Sequence, residues 1–218
     1  MNPCIKYPQN LAPENTVIAF DLHGVIFSSS IRQILTIVWH CPNKLRFLKL
    51  ITNIRLARTV VGGVLKKYVI EQLIQELSHK HPLFDQFKDT ALAVANAQKV
   101  NQKTFVLLKD LHAKNYQLVA FSNIGEQSIK ILSTRHPEVF DLFSHVIYTS
   151  IQDNFVAKPQ PQAFDKLFVC VTPAKKNIIF IDDSFKNIKQ AHALGIYPIT
   201  FSSARSLKQA LKQLKIVG

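Results

Sequence analysis

The sequence of 218 residues predicts an α/β protein, with a doubly wound parallel sheet in three layers that is interrupted by a helical insertion. Short apolar runs typical of buried strands recur along the chain. Amphipathic helical patterns separate most of them, and this alternation predicts βαβ units and a parallel sheet. Residues from about 30 to 100 break the alternation with helical patterns alone, which predicts an inserted domain.

The strand predictions rest on apolar runs that are too short for a helix and are bounded by turn-forming residues. The first run ends at Asp21 and is followed by glycine, and a later run ends at the acidic pair Asp182-Asp183. The five predicted strands are Val17–Phe20, Gln117–Phe121, His145–Tyr148, Ile178–Ile181 and Tyr197–Phe201.

Helices are predicted between these strands from apolar residues at helical spacing. Pro161 suits the first turn of one helix, and Gly195 suits the end of another. The predicted helices outside the insertion are Lys103–Lys114, a helix from Pro161, Ser184–Leu194 and a last helix that carries Leu207, Leu211 and Leu214.

The insertion contains three predicted helices, Ile31–His40, Asn43–Val61 and Leu65–His79. The predicted division is therefore a core domain of residues 1–29 and 101–218 and a helical domain of residues 30–100. Basic residues of Asn43–Val61 fall on several faces of the helix. This pattern favours a helix packed within the domain over one that lies on a membrane surface.

The chain is strongly basic, with a net charge of +13. The acidic residues are unevenly distributed, because none occurs between Leu22 and Ile70. Such a balance is compatible with nucleic acid, a membrane surface or an anionic substrate, and equally with a generally basic surface. Nucleic acid stays a possible partner that the sequence does not favour.

The sequence has features of a cytoplasmic protein. It contains no apolar run long enough to predict a transmembrane segment, and its polar, proline-containing start does not resemble a signal peptide. Cys4, Cys41 and Cys170 are odd in number and widely spaced. That spacing argues for reduced thiols and against a disulfide framework or a zinc ribbon. No feature indicates an oligomeric state.

Four polar clusters follow predicted strands or begin loops, in a fixed order along the chain. Each has an ordinary structural explanation: Ser-Asn as a turn, Lys-Pro as surface, and a double Asp as a helix cap. Their combination and order are specific. The clusters are Asp21-Leu22-His23-Gly24-Val25, Ser122-Asn123, Lys158-Pro159 and Asp182-Asp183-Ser184 with Asn187 beyond.

With these four clusters the chain resembles the haloacid dehalogenase-like (HAD) superfamily, in the branch with a helical cap inserted after the first motif. The resemblance implies a Rossmann-like core and assigns Asp21 as the nucleophile. It implies that Ser122, with Asn123 beside it, binds the transferring phosphoryl group and that Lys158 steadies the nucleophile. Asp182 and Asp183 match the acids that hold Mg²⁺, with Asp183 expected as the direct ligand and Asp182 acting directly or through water.

His23 departs from the family pattern, which has a second Asp at this position in its phosphatases. That Asp protonates the leaving alcohol, and its backbone carbonyl ligates the metal. His23 retains the carbonyl, and an imidazole can also exchange protons near neutral pH. Three outcomes are open: slower phosphatase activity, altered chemistry or an inactive fold.

The resemblance therefore implies a Mg²⁺-dependent hydrolase of a small phosphorylated substrate, acting through an aspartyl-phosphate. The metal set would be Asp21, the carbonyl of His23, Asp182 and Asp183. Dehalogenating relatives also lack the second Asp but need no acid pair, so Asp182-Asp183 favours phosphoryl chemistry. The alternative is a catalytically impaired HAD-fold protein whose basic cap binds an anionic partner.

Overall fold

The computed structural model describes residues 7–53, 55, 58–59, 70–171 and 177–218. The chain divides into two compact units. The sheet unit comprises Met1–Ser28, Val100–Asn123 and Ser133–Gly218, and the helical unit comprises Ser29–Lys99 and Ile124–Leu132. Within the described ranges, no helix has the length and apolarity needed to cross a lipid bilayer.

A five-stranded sheet in the order β5-β4-β1-β6-β7 forms the centre of the sheet unit, which confirms the predicted α/β class. All five predicted strands are present, and their bounds differ from the predicted ones by up to four residues. The strands are β1 Thr16–Phe20, β4 Gln117–Gly125, β5 His145–Thr149, β6 Asn177–Asp182 and β7 Tyr197–Thr200. β1 pairs in parallel with both β4 and β6, so that Phe20 lies opposite Ala120 and Ile181.

Both faces of the sheet are buried, as expected for parallel strands covered by helices. Every residue of β1 is buried. On one face, Phe121, Phe164 and Phe180 pack with ring centroids 5.2–5.8 Å apart. Ile18 and Phe20 are also fully buried, and alternation along the strand directs them to the opposite face.

Helices flank these strands and begin at residues suited to the purpose. Asn101 and Ser203 accept hydrogen bonds from backbone N–H groups in the first turns of the helices Gln102–Ala113 and Ala204–Gln213, which satisfies donors that would otherwise be unpaired. The helices of this part of the chain are α6 Gln102–Ala113, α7 Glu126–Arg135, α8 Pro137–Phe140, α9 Pro161–Val169, α10 Phe185–Ala193 and α11 Ala204–Gln213.

The helical unit contains α1 Ile31–His40, α2 Lys44–Ile51, α3 Ile70–Lys80, α4 Pro82–Asp85 and α5 Lys88–Ala95. α1 matches its predicted bounds. The second predicted helix is interrupted, because α2 ends at Ile51, whereas Arg55, Arg58 and Thr59 are again helical. The later part of that prediction and the start of the third lie partly outside the described residues.

Among the described residues of the helical unit, two small apolar clusters and the buried Glu71 stabilise its packing. Phe47 packs on Phe87, with ring centroids 5.3 Å apart, and Leu77 and Phe84 form a second cluster. The buried Glu71 accepts hydrogen bonds from the backbone N–H of Ser128 at 3.1 Å and from its hydroxyl at 2.8 Å. These bonds tie the start of α7 to this unit.

The prediction of helix throughout residues 30–100 is wrong at its end. β3 Gln98–Val100 pairs with β2 Phe27–Ser29 in a two-stranded ribbon. Backbone bonds from Ser30 to Ala97 and from Asn101 to Ile26 flank the ribbon. Strands of three residues carry too little periodicity to be recognised in a sequence. The predicted domain boundaries at residues 29/30 and 100/101 stay a proposal.

Candidate active site

A tight turn after β1 positions Asp21. The Asp21 N–H donates to the carbonyl of Ile181 at 2.8 Å, which extends the pairing of β1 with β6 by one residue. Downstream, the N–H groups of Ile26 and Phe27 both donate to the Leu22 carbonyl. The carboxylate of Asp21 is therefore fixed at the carboxyl edge of the sheet, where parallel α/β folds bind ligands.

Gly24 allows this turn to approach Asp183 closely. Its φ is +88°, a left-handed conformation that favours glycine. A Cβ atom at this position would lie 2.2 Å from Oδ2 of Asp183. The positive φ and this contact together favour glycine, because a Cβ atom here would displace the Asp183 carboxylate from its observed position.

Lys158 is the buried cation of the site, and its side chain is only 1% exposed. Its ammonium donates to Oδ1 of Asp21 at 3.0 Å, to Oδ2 of Asp182 at 2.8 Å and to the carbonyl of Phe121 at 2.5 Å. An ammonium has three donors, and each has an acceptor here. Lys158 therefore links β1, β4 and β6 at the same edge of the sheet.

Asn123 positions the backbone of Lys158 through a reciprocal pair of hydrogen bonds. The Lys158 N–H donates to Oδ1 of Asn123 at 2.7 Å, and Nδ2 of Asn123 donates to the Lys158 carbonyl at 2.8 Å. The predicted role of Asn123 was substrate binding. Substrate binding stays a prediction for Asn123, and its observed bonds hold the backbone of Lys158 in place.

Asp182 is fully buried, and donors surround its carboxylate. Oδ1 accepts from the Ser184 N–H at 2.8 Å, and Asn187 donates to both oxygens at 3.0 Å. Together with Lys158, these donors engage both Asp182 oxygens, whereas the neighbouring Asp183 is exposed. The two acids thus differ, with Asp182 bound by protein groups and Asp183 open to solvent.

The two buried carboxylates share one ammonium, and this arrangement affects the ionisation of Asp21. Burial raises the pKa of Asp21 to about 6. The positive charge of Lys158 lowers this pKa, the negative charge of Asp182 raises it, and a hydrogen bond from the buried Ser122 hydroxyl lowers it. The cost of burying the Asp21 carboxylate therefore outweighs the stabilisation that Lys158 and Ser122 give to its charged form.

The carboxylates suit a hard divalent cation. Among the described residues, Asp21, Asp182 and Asp183 each offer an oxygen, and these atoms lie within 4.8 Å of one another. Three carboxylates and one ammonium sum to a charge of −2 when all are ionised, which a divalent cation would neutralise. Oxygen-only donors are the ligands that Mg²⁺ prefers.

The structure thus brings together five predicted residues: Asp21, Ser122, Lys158, Asp182 and Asp183. His23 lies in the turn after Asp21 with its side chain exposed, and it forms a backbone bridge with Phe27.

Sequence reasoning missed three groups of the site. Gly24 and Asn187 were visible in the motifs, but no role was assigned to them. The carbonyl of Phe121 has no sequence signal, because every residue has one.

Comparisons with known proteins support a single family. The model of the haloacid dehalogenase-like hydrolase family matches residues 16–195. No curated protein matches the chain in sequence.

Solved structures with similar folds include HAD enzymes and dehalogenases. A HAD family enzyme from Bacteroides thetaiotaomicron is 20% identical, with a TM-score of 0.60 over 85% of this chain and 93% of that one. An aspartate-to-alanine variant of it, 21% identical and solved with magnesium and inorganic phosphate, has a TM-score of 0.57 over the same shares. An L-2-haloacid dehalogenase from Xanthobacter autotrophicus, with covalently bound chloropropionic acid, is 16% identical, with a TM-score of 0.56 over 94% of this chain and 85% of that one.

Proposed function

The chain belongs to the haloacid dehalogenase-like hydrolase family, and from that premise we propose that it is a Mg²⁺-dependent phosphatase of a small phosphate monoester. The observation that carries the proposal is the buried Lys158, bonded to both Asp21 and Asp182, with Asp183 exposed beside them. A nucleophilic carboxylate, a fixed cation and a second, solvent-facing acid are what phosphoryl transfer to a carboxylate requires.

Asp21 is the proposed nucleophile. One of its carboxylate oxygens attacks phosphorus, the bond from phosphorus to the ester oxygen breaks, and an aspartyl-phosphate forms. Water then attacks the phosphorus of this intermediate, which releases inorganic phosphate and regenerates the carboxylate. Lys158 holds Asp21 by Oδ1 and disperses its charge, and the buried Ser122 donates a hydrogen bond at the same position.

His23 is the proposed proton carrier. As an imidazolium it gives its proton to the departing ester oxygen, and as an imidazole it then takes a proton from the attacking water. Its place two residues after Asp21 and its exposed side chain suit contact with a substrate that enters from solvent. The alcohol thus leaves with the proton of the imidazolium, the phosphate keeps the hydroxyl group of the water, and the other proton of the water restores the imidazolium.

Mg²⁺ is the proposed cofactor, and Asp21, Asp183 and the carbonyl of His23 would hold it. Bound there, it would neutralise the negative charge that an incoming phosphate meets at the two acids. Asp182 would support the site by orienting Lys158 and the start of α10 rather than by direct ligation, because protein donors engage both of its oxygens.

The acid pair favours phosphatase over dehalogenase chemistry. The solved relatives include both a dehalogenase and an enzyme in complex with magnesium and phosphate, so similarity of fold does not choose between them. Dehalogenation by a carboxylate nucleophile needs no divalent cation. A cluster with a formal charge of −2 is therefore better suited to the metal-dependent reaction.

A second candidate is a catalytically impaired member of the family whose basic helical unit binds an anionic partner. The presence of His23 in place of the expected Asp favours this alternative.

We further propose a cytoplasmic location, because Cys41 and Cys170 are both unpaired.

The proposal is tested by incubating the full chain with a panel of phosphate esters and with 2-chloropropionate, each with and without Mg²⁺. Phosphate release that requires Mg²⁺ is the expected result. Chloride release without metal would replace the proposal with dehalogenation. No turnover of any compound would favour the impaired member.

A further inference from the structure

The helix α1 is apolar yet contains no buried residue. Ile31, Leu35 and Trp39 occur at spacings of four residues, which aligns them along one face of a helix. They are 73%, 64% and 69% exposed. A helix of a globular protein usually buries such a stripe against its own core, so this face of α1 has the composition of a contact surface.

The neighbouring α2 continues the exposed surface. Leu45 and Leu48 lie one turn apart and are 77% and 41% exposed. A groove of about 670 Å³ runs along α1 and α2, and apolar side chains form most of its lining, including Leu35 and Trp39. We name Ile31, Leu35, Trp39, Leu45 and Leu48 the α1–α2 face.

Packing of the helical unit does not require this face. The same two helices contribute Val38 and Phe47 to a cluster with Phe87, and Cys41, which directly follows α1, belongs to the same cluster. Their inward side chains are therefore already satisfied, while the α1–α2 face remains available to a partner. Contiguous exposed apolar surface of this kind marks a site of interaction.

Cations accompany the apolar side chains, and acids are absent. Residues 31–51 include Arg32, Lys44, Arg46 and Lys49, and no acidic residue occurs between Leu22 and Ile70. The ammonium of Lys44 lies 3.9 Å from the centre of the Trp39 ring. A positive charge is therefore in direct contact with the apolar surface. A complementary partner is therefore apolar and anionic at once.

We propose that the α1–α2 face binds the surface of an anionic lipid membrane. Aliphatic and tryptophan side chains enter the boundary between head groups and acyl chains, while Lys and Arg contact anionic head groups. A second copy of the chain fits poorly, since it would bring four cations against four cations. Nucleic acid fits poorly too, since phosphates would cover Ile31, Leu35 and Leu45.

Trp39 makes the proposal directly measurable, because it is the single tryptophan of the chain. The full chain is mixed with vesicles of phosphatidylcholine containing about 30% phosphatidylserine, and separately with vesicles of pure phosphatidylcholine. We expect a blue shift of tryptophan emission and co-sedimentation with the anionic vesicles only. About 0.5 M salt should weaken the binding, because it screens the attraction between the charges.

Two variants separate the apolar and the charged contributions. Leu45→Ser with Leu48→Ser removes apolar contact, and Arg46→Glu with Lys49→Glu reverses two charges. Each should reduce partitioning to anionic vesicles by about tenfold or more. All four side chains are exposed, so circular dichroism should show an intact fold.

Matched controls on the sheet unit exclude a general effect of charge or polarity. Val169→Ser removes an apolar side chain that is 86% exposed. Lys208→Glu with Lys212→Glu reverses two exposed charges on α11. Both controls should partition like the wild type. If either control lost as much partitioning to anionic vesicles as the α1–α2 variants, the proposal would be overturned, because binding would then reflect general surface polarity or net charge.

Three further results would also overturn it: no emission shift with anionic vesicles, equal binding to neutral vesicles, or binding to an acidic amphipathic peptide but not to vesicles. A wild-type dimer that Leu45→Ser with Leu48→Ser converts to a monomer, without vesicle binding, would identify a second copy as the occupant. None of these measurements depends on phosphatase activity, so the two proposals can fail separately.

Discussion

Lys158 holds two buried carboxylates in place, and its ammonium has no N–H donor free for another partner. Its three N–H groups are engaged by Asp21, Asp182 and the Phe121 carbonyl. A buried ion group is tolerated only when its partners satisfy it, and removing one partner costs about 3–5 kcal/mol. In the proposed reaction, Lys158 would therefore act by holding Asp21, and other groups would provide the contacts with substrate oxygens.

The first prediction concerns the nucleophile. Asp21→Asn should lower phosphate release below about a thousandth of the wild-type rate, because the amide cannot form the aspartyl-phosphate. The amide oxygen can still accept from Lys158, so the fold should persist. Steady-state kinetics and thermal unfolding provide the measurements, and Asp110→Asn on the exposed side of α6 is the control. Undiminished turnover in Asp21→Asn would place the chemistry elsewhere.

The second prediction concerns His23. If the imidazole is a poor proton carrier, His23→Asp should raise phosphatase activity, within the range of about 10²–10⁴-fold that general acid–base catalysis contributes. pH–rate profiles of both proteins on an aryl phosphate measure the effect, with His112→Asp on α6 as the control. If the wild type were as fast as His23→Asp, and its pH–rate profile showed no ionisation between about pH 5 and 8, this role for His23 would be contradicted.

At the scale of elements, the turn between β1 and β2 positions the acidic cluster. It places Asp21 beside Ile181 of β6 and leaves room for Asp183 only because Gly24 has no Cβ atom. A strand end alone would not produce this geometry. Because β1 pairs with β6 and the turn follows directly, the carboxylates of Asp21 and Asp183 lie close to each other.

The third prediction compares two glycines with positive φ. Gly24→Ala and Gly195→Ala should each lose about 1–2 kcal/mol of unfolding free energy, because Ala is strained in this region. Only at Gly24 would the new Cβ meet Asp183, since nothing lies within 4 Å of the corresponding atom at Gly195. Gly24→Ala alone should therefore also lose Mg²⁺ binding, measured by calorimetry. Equal Mg²⁺ binding by both variants would rule out the steric argument.

The fourth prediction concerns the short helical turn Ile151–Asp153, which an ion pair with Lys166 joins to α9. Burial raises the pKa of Asp153, but the hydrogen bond and charge of Lys166 and backbone N–H groups outweigh it, so that this pKa is lowered overall. Ionised Asp153 thus stabilises the fold. This contribution is present above the unfolded pKa of about 3.9 and disappears as pH falls through the lower folded value.

Urea unfolding of wild type and Asp153→Asn checks this pH dependence. The wild type should be more stable than the variant at pH 7, and the difference should shrink as the pH drops below about 4. Asp165→Asn, which changes an exposed acid on α9, should show no comparable trend. A difference that grows at low pH would have the wrong sign for this explanation.

At the scale of the whole molecule, the fifth prediction concerns Mg²⁺. A cation that binds only the folded chain should raise the unfolding midpoint by a few degrees at ten times its dissociation constant. Asp183→Asn should abolish this shift, whereas Asp141→Asn, which changes another exposed acid, should retain it. A midpoint insensitive to Mg²⁺ in the wild type would refute the metal site.

The described helical unit differs from its prediction for local reasons. α1 was recognised because its apolar residues repeat every three or four positions. α2 ends early at Ile51, where Thr52 donates its hydroxyl hydrogen bonds to the carbonyls of Leu48 and Lys49. Residues beyond it keep a helical composition, so periodicity alone could not locate this end.

The sequence by itself determined the class of fold, because five apolar runs and the helices between them can bury their faces in few other ways. It also identified most of the acidic cluster, since Asp21, Lys158, Asp182 and Asp183 stand at strand ends or in loops. These features are local, because burial and periodicity act over neighbouring residues.

Only the tertiary structure decided how these residues divide the work. Asp182 and Asp183 are adjacent in the chain, yet one is enclosed by Lys158 and Asn187 and the other faces solvent. The same holds for Leu45 and Leu48 of the α1–α2 face, because the sequence favoured packing of their helix within the domain and the structure leaves both side chains exposed. Exposure and the pairing of charges depend on which distant segments lie nearby, and no local pattern contains that information.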